Sequence, residues 1–160
     1  MRDDFLQAMS KAANSVYVVT TDGAGGKVGV TVSAVTSVSA DSPSLLICVH
    51  HESPAAAAIR TNGAFCVNLL AEGQAQISDS FAGLTGAKGE EKFACAEWET
   101  GATGCPILSD PLAAFDCALV HDLRVGSHHI FVGELRGIEL SDKQSPLIHA
   151  NRCYSRAEPL

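Results

Sequence analysis

The chain has 160 residues, 46% hydrophobic and 18% charged, with a formal net charge of -7 and a pI near 5.2. That length suits one domain, residues 1–160, with a real core, and the apolar fraction excludes a disordered chain. The acidic balance speaks against nucleic acid and anionic membrane surfaces as main partners.

Residues 3–13 read as a short amphipathic helix, with Phe5, Ala8, Met9, Ala12 and Ala13 at helical spacing. No basic stretch is followed by an apolar run there, so no signal peptide is expected. No uncharged run approaches the ~20 residues that span a bilayer. Residues 16–21 form a strand, and Asp22-Gly23-Ala24-Gly25-Gly26 is turn chemistry, which predicts a hairpin into a strand over 27–39. Residues 29–39 carry no charge and place a hydroxyl at nearly every second position. Alternation along a strand puts Thr31, Ser33, Ser37 and Ser39 on one face. A row of small donor-acceptors suits a flat polar ligand; the plainer reading is a half-wet strand face.

Asp41-Ser42-Pro43 breaks the run, and residues 44–49 are an apolar strand. Ser53 as N-cap and Pro54 as first helical residue open an alanine-rich helix over 54–60. Residues 65–70 read as a strand and 74–82 as helix. Residues 83–104, rich in Gly, Ala and charge, form a long excursion of the kind that is functional or sits at an interface. Two long strands follow at 113–125 and 129–140, and residues 146–154 are a last strand. Six or seven strands with two or three short helices predict a mainly β chain, an antiparallel sheet curled into a barrel. Closure removes exposed edges, and Gly133 and Gly137 let a strand bend.

Two segments could carry chemistry. Cys48-Val49-His50-His51-Glu52-Ser53 is a strand end feeding a helix N-terminus, where free N–H groups and the helix dipole favour an anion. Ser53 either donates to a phosphate there or only caps the helix, and the two are compatible. Glu52 is awkward beside a phosphate, so a positive group has to come from Arg60, Arg152 or Arg156. Gly126-Ser127-His128-His129 lies between two strands, at a barrel rim; His129 starts the next strand and reads as structural. The six cysteines lack a Cys-x-x-Cys pair, and the paired histidines are adjacent rather than four apart, so no metal site is expected. The cysteines read as small thiols of a reducing cytoplasm. No cysteine-hydrolase signature, Gly-x-Ser-x-Gly elbow or Gly-x-Gly-x-x-Gly fingerprint is present.

The order and spacing of these pieces resemble the flavin reductase family with the FMN-binding split barrel. The likeness is to short-chain reductase components of two-component flavin-dependent monooxygenases, such as the 4-hydroxyphenylacetate hydroxylase reductase. It runs through Phe5–Met9, Ser15–Thr21, Thr31–Ser39, Phe65–Leu70, Phe81–Gly86, Gly126–His128 and Asn151–Tyr154. The resemblance implies an antiparallel split β-barrel and an oxidoreductase that passes hydride from NADH or NADPH to FMN or FAD. It further implies a cytoplasmic homodimer that supplies reduced flavin to a partner oxygenase, with the excursion, through Phe93 and Trp98, covering the dimer interface. By the same likeness Thr31, Val32, Ser33, Ala34, Ser37 and Val38 lie against the isoalloxazine and ribityl chain. His50 and Ser53 reach the phosphate, Asn68, Phe81 and Tyr154 lie near the flavin, and His128 is the catalytic residue that places the nicotinamide. Ser127 stands where the family commonly has Asp or Thr, and His50-His51-Glu52 where it commonly has Asn or Arg. The lack of an acid–base pair fits, because the flavin carries the redox chemistry and the protein supplies position and hydrogen bonds. Two alternatives stay open: a flavoenzyme on this barrel that reduces another small substrate of corrinoid type, and a flavin carrier without turnover.

Overall fold

A nine-residue helix, α1 (Arg2–Ser10), opens the chain in the computed structural model, which describes residues 1–143 and 145–160. The helix ends one turn earlier than its sequence pattern suggests and buries none of its residues, leaving Phe5, Leu6 and Met9 exposed. The strands β1 (Asn14–Ser15), β2 (Tyr17–Thr21), β3 (Val28–Val32), β4 (Val35–Ser39) and β5 (Ser44–His50) follow. Next come α2 (Pro54–Asn62), β6 (Ala64–Leu69) and α3 (Ala75–Phe81), then β7 (Trp98–Thr100), β8 (Pro106–Leu108), β9 (Ala113–Val125) and β10 (His128–Leu140). The chain closes with β11 (Leu147–Ala150) and β12 (Cys153–Arg156). No helix among the described residues is long and apolar enough to cross a membrane.

Seven strands form one antiparallel sheet in the order β3-β2-β6-β9-β10-β5-β4. Its two edges, β3 and β4, are consecutive in the chain, so the sheet curls until they meet. The predicted strand over 27–39 is therefore two strands. The run pairs with β2 up to Val32 and with β5 from Val35, on opposite sides of the sheet order. The step lies at Ser33 and Ala34, where Val35 N–H donates to the Ser33 carbonyl and Cys48 N–H to the Ala34 carbonyl, each at 3.0 Å. Thr31 and Ser33 thus do not share a face with Ser37 and Ser39.

The expected bend appears in β10, whose register with β9 shifts between Val132 and Gly133 and again between Leu135 and Gly137. Gly133 is needed there: a Cβ would fall 2.6 Å from both Cys117 Cβ and Phe65 Cζ, closer than packed carbons tolerate. The barrel interior is filled by Val19, Ile47, Phe65, Val67, Cys117 and Phe131, with Ala55, Ala56 and Ile59 of α2 packed against them. A second core lies under α3, where Phe81 meets Phe93 at 4.9 Å and Trp98 at 5.6 Å between ring centroids.

The excursion contributes to this second core. Phe93 is buried in its own subunit, and Trp98 Nε1 donates to the Phe93 carbonyl at 2.9 Å. Phe93, with the half-buried Trp98 against it, thus packs into the chain's own second core. The last predicted strand is a hairpin, β11 to β12, reversing at Asn151 and Arg152 with φ of 50° and 63°. Two successive left-handed residues match the twist of a two-residue hairpin turn.

Candidate functional site

The step between β3 and β4 is the floor of a trough. Two cavities share Thr31, Val32 and Ser33. The inner one, about 280 Å³, adds Ala34, Cys48, His50, Ser53 and His128. The outer one, about 250 Å³, adds Ser78, Ala82, Leu84, His149 and Tyr154. Edge strands end here, so the wall combines small side chains with exposed backbone, and Ser33 and Ala34 are both open to solvent.

Strand register sets the imidazoles. His128 opposes His50 across the β5–β10 ladder, and the two rings meet edge to face at 5.1 Å. Side chains of adjacent residues in a strand point apart. Here β5 ends at His50 and the chain turns, which stacks His51 on His50 at 5.0 Å. The turn is held by His51 N–H donating to the Ser127 carbonyl at 2.9 Å. Gly126, with φ of 55°, permits the tight reversal that presents Ser127 and His128. Ser127 Oγ lies 2.9 Å from His128 Nδ1. His50 Nδ1 accepts the Glu52 N–H at 3.2 Å.

His50, His51 and Glu52 bring one ligand atom each within 4.8 Å of one another, which their adjacency in sequence hides. The bond at His50 Nδ1 places the neutral ring's proton on Nε2, so a metal at Nε2 would first have to displace that arrangement. Partial desolvation and the nearby Arg124 guanidinium hold His51 below the usual histidine pKa, with Glu52 opposing them. Ser53 Oγ caps α2 by accepting Ala55 N–H at 3.3 Å, which leaves its own hydroxyl proton free to donate.

At the other end, Thr31 Oγ1 donates to the Ser78 carbonyl at 2.7 Å, tying β3 to α3. Tyr154 OH lies 2.6 Å from Asp79 Oδ1 and 2.8 Å from Ser78 Oγ. Burial and the Asp79 carboxylate raise its pKa, so the phenol stays protonated and donates to Asp79.

Seven of the expected site residues therefore share the inner cavity: Thr31, Val32, Ser33, Ala34, His50, Ser53 and His128. Tyr154 joins the first three in the outer one. Four fall elsewhere. Ser37 lines a separate cavity of about 470 Å³ with Tyr17, Leu45, Phe115 and Leu135. Val38 is exposed on the edge strand β4 and lines neither part of the trough. Asn68 is fully buried, its amide donating to the Val18 carbonyl at 3.0 Å and accepting Leu108 N–H at 2.8 Å. Phe81 is buried in the second core, against the backbone of Gly29. Of the arginines proposed from sequence, Arg60 Nε is 2.7 Å from Asp122, Arg156 pairs with Glu158, and Arg152 sits in the turn of the last hairpin. His129 is structural as expected: it is buried, bonded to Asp122 at 2.7 Å and stacked on Phe131. Ser78 and Leu84, neither among the expected site residues, also line the outer cavity. Only the docking of α3 against β3, fixed by contacts distant along the chain, turns them into the trough.

A curled antiparallel barrel, with a flat trough of hydroxyls and backbone at its split and imidazoles at one end, defines a flavin-type split barrel. The family model for the flavin reductase like domain matches residues 9–158, and the chain belongs to that family. It is 42% identical over 153 residues to the FMN reductase (NADH) RutF of Ancylobacter novellus, an alignment covering 96% of this chain and 83% of that protein. BorF, the flavin reductase component of a bacterial two-component tryptophan halogenase, superposes with a TM-score of 0.89 at 29% identity over 100% of both chains. Component B of nitrilotriacetate monooxygenase from Mycobacterium thermoresistibile superposes with a TM-score of 0.89 at 29% identity, covering 99% of this chain and 87% of that one.

Proposed function

We propose that this chain, folded as a single domain, is an NADH-dependent flavin reductase that reduces FMN in the trough and releases it to a separate oxygenase. The observation that carries this reading is the convergence of Thr31–Ala34, Ser53, His50 and His128 on one cavity in a member of the flavin reductase family. The name of the Ancylobacter relative supports NADH and FMN as substrates, and the halogenase and monooxygenase components support an oxygenase partner. The same names favour turnover on flavin over a corrinoid substrate or an inert carrier.

The residues fit a flavin. Thr31–Ala34 offer an uncharged surface for a planar ring, and Tyr154 lines the outer end. His50 and Ser53, which line the same cavity, would hold the flavin's phosphoryl group. When bound, the flavin supplies the hydride acceptor, so the protein needs no acid–base pair. Its residues bind, orient and exclude water. His128 is exposed at the rim, where it positions the nicotinamide rather than moving a proton.

A homodimer belongs to this reading. The exposed apolar side chains of α1 and of the β9–β10 tip, where Leu123 is 59% and Val125 54% exposed, are surfaces that a second copy would cover. The function is tested by NADH and NADPH oxidation with FMN, FAD and riboflavin in turn. The expected result is flavin-dependent oxidation, fastest with NADH and FMN; no flavin-dependent oxidation with either nucleotide overturns the reading.

A further inference from the structure

Two residues beside the inner cavity, His51 and Glu52, do not line it. Strand alternation would send adjacent side chains to opposite faces, which is why the adjacent histidines gave no metal spacing in the sequence. But β5 ends at His50, and the chain reverses there. Ser53 N–H donates to the His50 carbonyl at 3.0 Å, closing a β-turn with His51 and Glu52 at its centre. A second bond, from His51 N–H to the Ser127 carbonyl at 2.9 Å, ties this turn to the β9–β10 hairpin. The reversal stacks the two imidazoles at 5.0 Å with 22° between their planes. One ligand atom each from His50, His51 and Glu52 then lies within 4.8 Å of the others.

We propose that this turn is a divalent metal site, in which His50, His51 and Glu52 together bind a Zn²⁺ ion. Two imidazole nitrogens and one carboxylate oxygen suit zinc, and three protein donors leave a fourth position to water. Mg²⁺ and Ca²⁺ call for oxygen ligands throughout and are poorly served by this set. Zinc bonds of about 2.0–2.2 Å require the donors to draw closer together than they stand. His50 and Glu52 are exposed and His51 is half-buried, so side-chain rotation supplies that movement while the two backbone bonds hold the turn.

Two terms oppose the ion. Coordination through His50 Nε2 moves the ring proton to Nδ1 and gives up the long bond from Glu52 N–H, 3.2 Å; that N–H lies in an exposed turn and passes to water. The Arg124 guanidinium, near His51, repels a cation, and the Glu52 carboxylate beside the same ring offsets it. The site shares His50 with the flavin cavity, so metal and flavin nucleotide draw on one ring. Metal binding is therefore tested on the flavin-free chain and does not depend on the flavin reading.

The test is titration calorimetry of the full chain, freed of flavin and stripped with a chelator, with ZnCl₂ at pH 7.5 and with MgCl₂ as the hard-cation control. The expected result is a single Zn²⁺ per chain and no Mg²⁺ binding. His51→Ala and Glu52→Gln are each expected to weaken Zn²⁺ at least as much as the loss of an outer-shell partner does, about ten- to a hundred-fold. Circular dichroism melts check that both variants fold. The exposed thiol of Cys153 is the competing zinc ligand, and Cys153→Ser is expected to leave binding unchanged. No Zn²⁺ binding to the parent chain overturns the proposal. Undiminished binding in both His51→Ala and Glu52→Gln, or binding lost in Cys153→Ser, overturns it too and means an adventitious ion only. FMN binding, measured separately, bears on the flavin reading alone.

Discussion

Asn68→Ala separates two roles for one residue. Family likeness puts Asn68 near the flavin; the structure makes it a staple inside the barrel. Its side chain joins three strands, donating to the Val18 carbonyl of β2 and to Thr20 Oγ1, and accepting Leu108 N–H of β8. Thr20 keeps its bond to the Pro106 carbonyl after truncation, but the Leu108 N–H loses its acceptor and the Val18 carbonyl loses a donor in a fully buried setting. Each stranded group costs about 1–3 kcal/mol, so the loss is about 2–6 kcal/mol. At about 2–4 °C per kcal/mol for a chain of this size, Tm falls by about 5–20 °C. Flavin affinity, measured by fluorescence quenching well below the new Tm, stays close to that of the parent. Thermal melts followed by circular dichroism supply the first number. An unchanged Tm with a weakened flavin complex would refute the reasoning and return Asn68 to the ligand.

Ser53→Ala is expected to cost about 1 kcal/mol through the lost α2 cap and, in flavin titrations, to raise the dissociation constant about ten- to a hundred-fold by removing a hydrogen bond to a charged phosphate; unchanged flavin binding would leave Ser53 as a cap alone. His128→Ala should still bind flavin but lose about 10-fold in kcat/KM for NADH, about 1.4 kcal/mol of transition-state stabilisation, and stopped-flow reduction at the parent rate would reassign it to structure. Burial and Asp116 push the Cys117 thiol from 9.0 up to about 12, and burial raises Cys66 well above its usual value. The folded state keeps these protons while the unfolded chain loses them, so denaturant titrations should show stability present below pH 9 and falling above it, by up to about 1.4 kcal/mol per pH unit for each thiol; a flat profile to pH 11 would contradict this. Sedimentation is expected to give twice the monomer mass of 16.7 kDa, and a fully active monomer would remove the dimer from the account.

What the sequence made legible was local. The hairpin from β2 to β3, the Ser53-Pro54 helix start and the extent of β9 follow from turn chemistry, capping and strand-type composition, all read within a few residues. The bend at Gly133 was legible because only a glycine fits that close approach. What stayed hidden depends on closure. Nothing in the uncharged run 29–39 says that it must break at Ser33 and Ala34, because the break exists only to let one edge of the sheet meet the other. That break sends Ser37 and Val38 away from the trough. Asn68 and Phe81 sit in strand and helix positions where facing decides the role, and long-range packing turns both inward. His50 and His51 look separated by strand alternation, yet the turn after His50 stacks them.

The central claim is that the protein reduces flavin it does not keep. The most direct measurement is anaerobic reduction of FMN present in large molar excess over protein, with NADH in excess of both, followed by loss of the oxidised flavin absorbance. The account predicts that the whole flavin pool is reduced over many turnovers. Reduction of one equivalent per subunit, or of none, would contradict it.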